Sequence, residues 1–441
     1  MENNKKVVIT YGTFDLFHKG HYNILKRAKE LGDYLIVGVT GETYDMERGK
    51  LSVRDSLAKR IENVRQTGFA DKIIVEEYLG QKIQDILQYH VDVLVVGSDW
   101  IGKFDHMRKY CEVVYLERTK DISSTQLRET AGDILSLGIV TDDIFDDDIV
   151  LEAKYVSGVH VEAVYAEDAE LTAAFTEKFE LDQGYTDYDE FLEKTDIVYV
   201  KSEKYKKFDL IKKALERGRI VMTSPMVGDN AEEVASLYQY AEEHNRMLVE
   251  CVPTFYLQSF LQLLWNVKGN VIGDIVYIEN EITLGSLTGI RKDDLEAHVY
   301  FSILIAMNIL GTDVNFQIQR ITREEGQTFL LLTGQNDKGI YISKISDCKK
   351  MADGFTVKGT RGTIHVPNDW WNIGYFELRE GDADSVKRYS CNFDGNGLRY
   401  VFVSVLDRVK MQHYSDLRLA KTETVKAMEE VKRIMKDEKQ E

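Results

Sequence analysis

The stretch YGTFDLFHKGHYNILKRAKELGDYLIVG, residues 11–38, decides the fold. It continues a β-rich run, Lys6-Val-Val-Ile-Thr10, and carries one helical period followed by a second apolar run. Ile24, Leu25, Ala28 and Leu31 recur at helical spacing between Gly20 and Leu31, with Gly32 in the place of a C-cap, and Tyr34 to Val39 reads as strand. The same alternation continues outward. A helix is expected near Asp55–Thr67, a strand at Lys72–Glu76, a helix near Gln81–Tyr89, and strands at Val91–Val96 and Val113–Leu116. Strands alternating with helices imply right-handed βαβ units around a parallel sheet, with ligands at the carboxyl ends of its strands. Three stretches fall there: Thr13 to His21, Gly97 to Trp100, and Arg118 to Thr125.

Two histidines, His18 and His21, open the first helix and flank Lys-Gly20. A helix start offers unpaired N–H groups and the positive end of a dipole, and so accommodates an anion. Gly20 lets the backbone approach it. Two imidazoles there can donate hydrogen bonds to charge developing on a phosphate. Ser123-Ser124-Thr125 reads alone as a plain N-cap, but beside Arg118 and the two histidines it reads as a second set of phosphate donors.

The chain has 441 residues, enough for two or three domains, and its 44% hydrophobic content supports a sizeable core. Apolar runs such as Val91-Asp-Val-Leu-Val-Val-Gly97 are strand-sized and fall short of a membrane span, and the start MENNKKVVIT lacks the features of a signal peptide. Cys111, Cys251, Cys348 and Cys391 form no CxxC pair, which argues against a disulfide framework or zinc site and for a cytoplasmic location. A net charge of −18 argues against a nucleic-acid binder. Residues 1–130 hold 20 basic and 20 acidic side chains out of 56 and 74, so all the excess acid lies beyond residue 130. An anion site is easier to keep in the neutral part. From Thr422 the spacing of Val425, Met428, Val431 and Met435 predicts an amphipathic C-terminal helix.

The blocks GTFDLFHKGH, GSDWIGKFD (Gly97 to Asp105) and RTKDISST (Arg118 to Thr125) make residues 5–130 resemble the HxGH nucleotidyltransferases, most of all the glycerol-3-phosphate cytidylyltransferases. The resemblance implies transfer of CMP from CTP to sn-glycerol 3-phosphate, or a related small polyol phosphate, with Mg²⁺ and release of pyrophosphate. It implies catalytic roles for His18, His21, Arg118 and Lys50. Thr13, Phe14, Asp15, Gly20, Asp99, Arg118, Thr119, Ile122, Ser123, Ser124 and Thr125 would bind the nucleotide. Arg48, Arg60, Lys82 and Trp100 would bind the acceptor. Gly68, where the family is often basic, and Ser98, in place of a common acid, bear on acceptor choice. The resemblance further implies a homodimer and a place in bacterial surface-polymer synthesis.

The order of elements from about 135 to 420 resembles the glucose–fructose oxidoreductase/inositol dehydrogenase family, which has a Rossmann domain followed by an open-sheet domain. The expected architecture is therefore α/β throughout. A Rossmann-like nucleotidyltransferase domain (1–132) precedes a second Rossmann-like domain (133–255) and an α/β open-sheet domain (256–441). The chemistry residues depart from that family. Its glycine-rich first turn reads here as Gly138-Ile-Val140-Thr-Asp142-Asp143, followed by Asp146, Asp147 and Asp148. Its Glu-Lys-Pro segment is Thr223-Ser224-Pro225, and its Asp/His pair aligns with Ala297 and Phe301, with His298 nearby read as a helix residue. The expectation is that no NAD(P) is bound and that this part dimerises, regulates or holds a partner enzyme. The alternatives are a bifunctional enzyme with an NAD(P)-dependent activity on the acceptor, and a nucleotide-sensing scaffold.

Overall fold

The computed structural model describes residues 5–41, 44–45, 53–78, 80–117, 134–145, 148–202, 207–287, 290, 294–322, 328–347, 354–367, 369–381, 386–390, 393–412, 414 and 418–438. The chain divides into two compact units, residues 1–134 with 155–158, and residues 135–154 with 159–441.

The first unit runs β1 (Val7–Gly12), α1 (Lys19–Lys29), β2 (Tyr34–Thr40), α2 (Leu57–Gln66), β3 (Lys72–Glu76), α3 (Gln81–Gln88), β4 (Val93–Gly97) and β5 (Glu112–Leu116). The strands form one parallel sheet in the order β3-β2-β1-β4-β5. Both faces are covered, so the strands are apolar along their central residues rather than at alternate positions. Val8, Leu35, Val37, Val93 and Val95 pack against Leu25, Ala28 and Val64 on one face. Ile9, Ile36, Leu94 and Val96 pack against Ile86 and Met107 on the other. The chain leaves β1 toward β2 and later returns on the far side to β4. The switch point between β1 and β4 is where such sheets hold ligands. It is flanked by Thr13 after β1 and Trp100 after β4.

Gly32 does not cap α1 as the sequence suggested. The cap is Glu30, and Gly32 is required because a Cβ there would lie 2.6 Å from the Lys6 carbonyl oxygen.

The second unit begins with β6 (Leu135–Thr141), α4 (Asp148–Ala153), β7 (Val159–Tyr165), α5 (Ala169–Phe179), β8 (Gln183–Tyr185), α6 (Tyr188–Glu193), β9 (Ile197–Lys201), α7 (Lys207–Glu216), β10 (Ile220–Thr223), α8 (Ala231–Glu243) and β11 (Leu248–Glu250). These strands form a parallel sheet in the order β11-β10-β9-β6-β7-β8, the doubly wound pattern. Next come α9 (Gln258–Lys268), β12 (Ile275–Thr283), α10 (Leu295–Leu310), β13 (Asn315–Thr322), β14 (Thr328–Asn336), β15 (Gly339–Ser346), β16 (Phe355–Gly359), β17 (Gly362–Val366), β18 (Tyr375–Glu380) and β19 (Val386–Ser390). They build an eight-stranded sheet in the order β13-β14-β15-β12-β16-β17-β18-β19, antiparallel except where β12 lies parallel to β15. Helix α10 is apolar nearly all round and buried along most of its length. Helices α11 (Leu398–Met411) and α12 (Lys421–Glu438) close the chain. Along α12, Met428, Val431 and Met435 are buried as their spacing predicted. Among the described residues no helix is long and apolar enough to cross a membrane.

Gly138 is not in the turn after the first strand of this unit, where the sequence placed it. It lies inside β6, and a Cβ on it would stand 2.4 Å from the ring of Phe191 and the methyl of Thr195. It is a packing glycine. Gly138→Ala is expected to overpack this spot and cost about 1–3 kcal/mol. Denaturant unfolding checks this; an unchanged midpoint would refute the assignment.

Candidate functional site

The loop after β1 is shaped before any ligand is considered. Phe14 and Leu16 adopt left-handed backbone, with φ of 55° and 46°, and the Phe14 ring is buried in the core. Asp15 is 2% exposed, and its Oδ1 accepts the amides of Arg54 (3.0 Å) and Asp55 (2.9 Å), pinning the loop to the start of α2. His18 is the N-cap of α1: its Nδ1 accepts the Gly20 amide at 3.0 Å. With Nδ1 an acceptor, the neutral ring carries its proton on Nε2, the nitrogen that can donate to a phosphate oxygen. His21 lies one turn on, and the two imidazoles stack with centroids 4.0 Å apart at 25°. Phe14 and Phe17 each bring a ring centroid to 5.5 Å from His21, which fixes the second imidazole in place.

Arg60 requires a correction. The sequence set it among acceptor-binding residues, but its side chain is fully buried. Its Nη1 donates to the carbonyls of Thr13 (2.9 Å) and Thr40 (2.8 Å) and to Asp45 Oδ2 (3.2 Å), and its Nε donates to the Asp55 carbonyl (3.0 Å). Asp45, itself 1% exposed, also accepts the hydroxyls of Thr13 (3.1 Å) and Thr40 (2.7 Å). Arg60 therefore holds the β1 loop against the end of β2. Asp45 carries no motif, and sequence reasoning missed it.

Lys82, on the first turn of α3, pairs with the buried Glu76 at the end of β3. Trp100 follows β4 in a short 3-10 turn and meets Phe104 edge to face at 6.0 Å. Arg48, Lys50, Arg118, Thr119, Ile122, Ser123, Ser124, Thr125 and the side chain of Asp99 lie outside the described residues. The Mg²⁺ implied by the resemblance would sit chiefly on triphosphate oxygens. Among the described residues, the grouping able to share a cation, His160, Glu162 and Asp182, belongs to the second unit.

The second unit gathers a different set at the carboxyl ends of β10 and β11. Lys207, on the first turn of α7, donates to Ser224 Oγ (2.7 Å), to the Ser224 carbonyl (3.1 Å) and to the Met226 carbonyl (3.2 Å). Glu250 ends β11 at 2% exposure, and Tyr300 Oη donates to its Oε2 at 2.8 Å. Burial pushes the Lys207 ammonium down to about 8 and the Glu250 carboxyl up to about 7. A narrow apolar cleft beside them is lined by Pro225, Val252, Thr254, Phe301 and Trp371. Ala297 and His298 are buried in α10, and His298 Nε2 accepts the Gly285 amide at 3.1 Å. A lysine thus stands at Ser224, where the sequence showed its loss. It comes from another element, and a single lysine at a helix start gave no signal.

Known proteins divide the chain in the same way. Residues 9–130 match the family described as cytidylyltransferase-like, and residues 150–251 match the oxidoreductase family with NAD-binding Rossmann fold. A glycerol-3-phosphate cytidylyltransferase of Bacillus spizizenii is 47% identical over 124 residues, which is 28% of this chain and 95% of that protein. An ethanolamine-phosphate cytidylyltransferase of Dictyostelium discoideum is 34% identical over 134 residues, 28% of this chain and 36% of that protein. KijD10, a 3-ketoreductase from Actinomadura kijaniata solved with NADP and TDP-benzene, superposes with a TM-score of 0.57 at 14% identity. The match covers 69% of this chain and 97% of that one, a likeness of fold.

The match of residues 150–251 to the oxidoreductase family with NAD-binding Rossmann fold overturns the expected absence of NAD(P). The sequence has no glycine between Thr141 and Gly158, so the turn after β6 does not fit a pyrophosphate through a glycine backbone. Thr141 Oγ1 instead bonds the Asp143 amide and carbonyl, each at 3.0 Å, and Asp142 accepts the Ser202 hydroxyl at 3.0 Å.

The buried Glu250 and the partly buried Lys207 make stability depend on pH. Glu250 is raised on folding, so its contribution is full below about pH 4.5 and is lost as pH rises through about 7. Lys207 is lowered, so its contribution is full above about pH 10.5 and is lost as pH falls through about 8. Glu250→Gln is expected to flatten the first of these dependences. Denaturant midpoints at pH 5 and pH 8 test it, and an unaltered difference between them would count against the assignment.

Proposed function

The chain belongs, through its first unit, to the cytidylyltransferase-like family of nucleotidyltransferases, and from that premise we propose that it transfers CMP from CTP to sn-glycerol 3-phosphate or a closely related polyol phosphate, giving CDP-glycerol and pyrophosphate. The observation that carries the reading is the stacked pair His18 and His21 at the start of α1, with His18 fixed as the Nε2–H tautomer by the Gly20 amide. An acceptor phosphate oxygen attacks the α-phosphorus of CTP in line. The new P–O bond forms as the bond to the β-phosphate oxygen breaks, and pyrophosphate leaves with the electron pair. Little covalent work falls to the protein, so positioning and charge stabilisation dominate. The imidazole donors and the helix start take up the added charge on the α- and β-phosphates. Asp15, Arg60 and Asp45 keep the β1 loop in register for this. The family resemblance adds Arg118, Lys50 and Ser123 to Thr125 as further triphosphate ligands in this reading.

Because His18 both caps α1 and meets the phosphates, the two roles separate by mutation. His18→Ala should cost about 1 kcal/mol of stability through the lost cap. His18→Asn should keep the cap. Both should lose about 10²–10³ in turnover. Pyrophosphate release from CTP over a panel of polyol phosphates, with thermal melts alongside, is the measurement. Wild-type-like turnover in the folded asparagine variant would remove the histidine from the mechanism.

A second reading, favoured by Lys207 at Ser224, makes the chain bifunctional, with an NAD(P)-dependent oxidoreductase acting on the acceptor. A titration with NADH and NADPH followed by nicotinamide fluorescence should then saturate in the micromolar range. Linear, unsaturable signal up to millimolar cofactor would leave the transferase alone.

A further inference from the structure

At the carboxyl edge of the first sheet, three elements converge on one ammonium, and it belongs to the chain itself. Glu76, the last residue of β3, is fully buried. One of its carboxylate oxygens is paired with Lys82 Nζ, and the other, Oε2, is buried without a hydrogen-bond partner among the described residues. The same Nζ stands 4.5 Å from the centroid of the Tyr11 ring on β1 and 5.9 Å from that of Phe104 beyond β4. Asp85, one turn along α3, is 5% exposed and accepts the Tyr11 hydroxyl at 2.9 Å. Carboxylates set against aromatic faces are the surroundings that recognise an ammonium or trimethylammonium group.

We infer that Lys82 fills this cage with the chain's own cation, so that the transferase site takes acceptor phosphates with an uncharged, hydroxyl-bearing tail and turns away those ending in an ammonium. The inference rests on the transferase reading and narrows its acceptor. A second cation brought to Glu76 would meet Lys82 at short range and be repelled. A hydroxyl meets no such penalty, and Glu76 Oε2 is an acceptor in want of a donor. Tyr11 cannot supply that donor, because its hydroxyl is committed to Asp85. Without Lys82, Glu76 and Asp85 would face the two rings with their charge unbalanced, which is a cation site. Lys82 and Glu76 are specificity-determining residues on this account.

The experiment compares wild type, Lys82→Ala, Lys82→Arg and Glu76→Gln by pyrophosphate release from CTP, with sn-glycerol 3-phosphate, phosphoethanolamine and phosphocholine as acceptors. Wild type and Lys82→Arg are expected to favour glycerol 3-phosphate. Lys82→Ala is expected to move the ratio of kcat/KM, ammonium acceptor over glycerol phosphate, upward by about tenfold or more, with KM for CTP unchanged. Glu76→Gln should raise KM for glycerol phosphate without creating the ammonium activity. A folded Lys82→Ala with the wild-type ratio overturns the inference. So does a wild type that prefers phosphoethanolamine, which decides the matter even if the alanine variant does not fold. Wild type releasing no pyrophosphate with any acceptor would instead sink the transferase reading itself.

Discussion

A single buried guanidinium sets the geometry on which the first unit depends. Arg60 bonds two backbone carbonyls, Thr13 at the end of β1 and Thr40 at the end of β2, and is balanced by Asp45. The loop after β1 has non-glycine residues in left-handed backbone, so it needs outside support to hold one shape. Removing either partner would leave an uncompensated buried charge, which typically costs about 3–5 kcal/mol. The imidazoles sit at the far end of that loop. Their placement therefore depends on an ion pair buried away from solvent.

Much of the first unit was legible in the sequence because a parallel sheet covered on both faces makes strands that are apolar along their central residues, separated by helices of clear period. His18 and His21 were legible for a chemical reason: two imidazoles around a glycine at a helix start are hard to explain by packing. Arg60 was misread because charge in a sequence gives no sign of burial. Gly32 and Gly138 were misread for a related reason. Each is glycine because another chain segment comes too close, through the Lys6 carbonyl or the Phe191 ring, and such contacts cannot be read from local spacing.

The second unit shows the opposite limit. Its fold could be read from the order of its elements, but its chemistry could not. Judging by the family's sequence positions, a lysine was missing at Ser224. In space the Lys207 ammonium reaches the Ser224 hydroxyl from the start of α7. Sequence position alone does not report which side chains meet there, because one as long as lysine can arrive from a neighbouring element. The acidic turn after β6 and the Lys207 ammonium pull in different directions for a dinucleotide, which is why binding is the decisive measurement there.

The pairing of β12 with β15 has a consequence for how the chain acquires its structure. Strand β12 lies between β15 and β16, so residues 275–283 find their partners only after a long intervening segment, α10 and a hairpin among it, is in place. In the first unit the pairing of β1 with β4 spans a comparable length, Val8 against Val93. Closing long loops before any contact rewards them slows folding. In both units, then, the strand at the centre of its sheet is completed only when a distant segment of the chain has arrived.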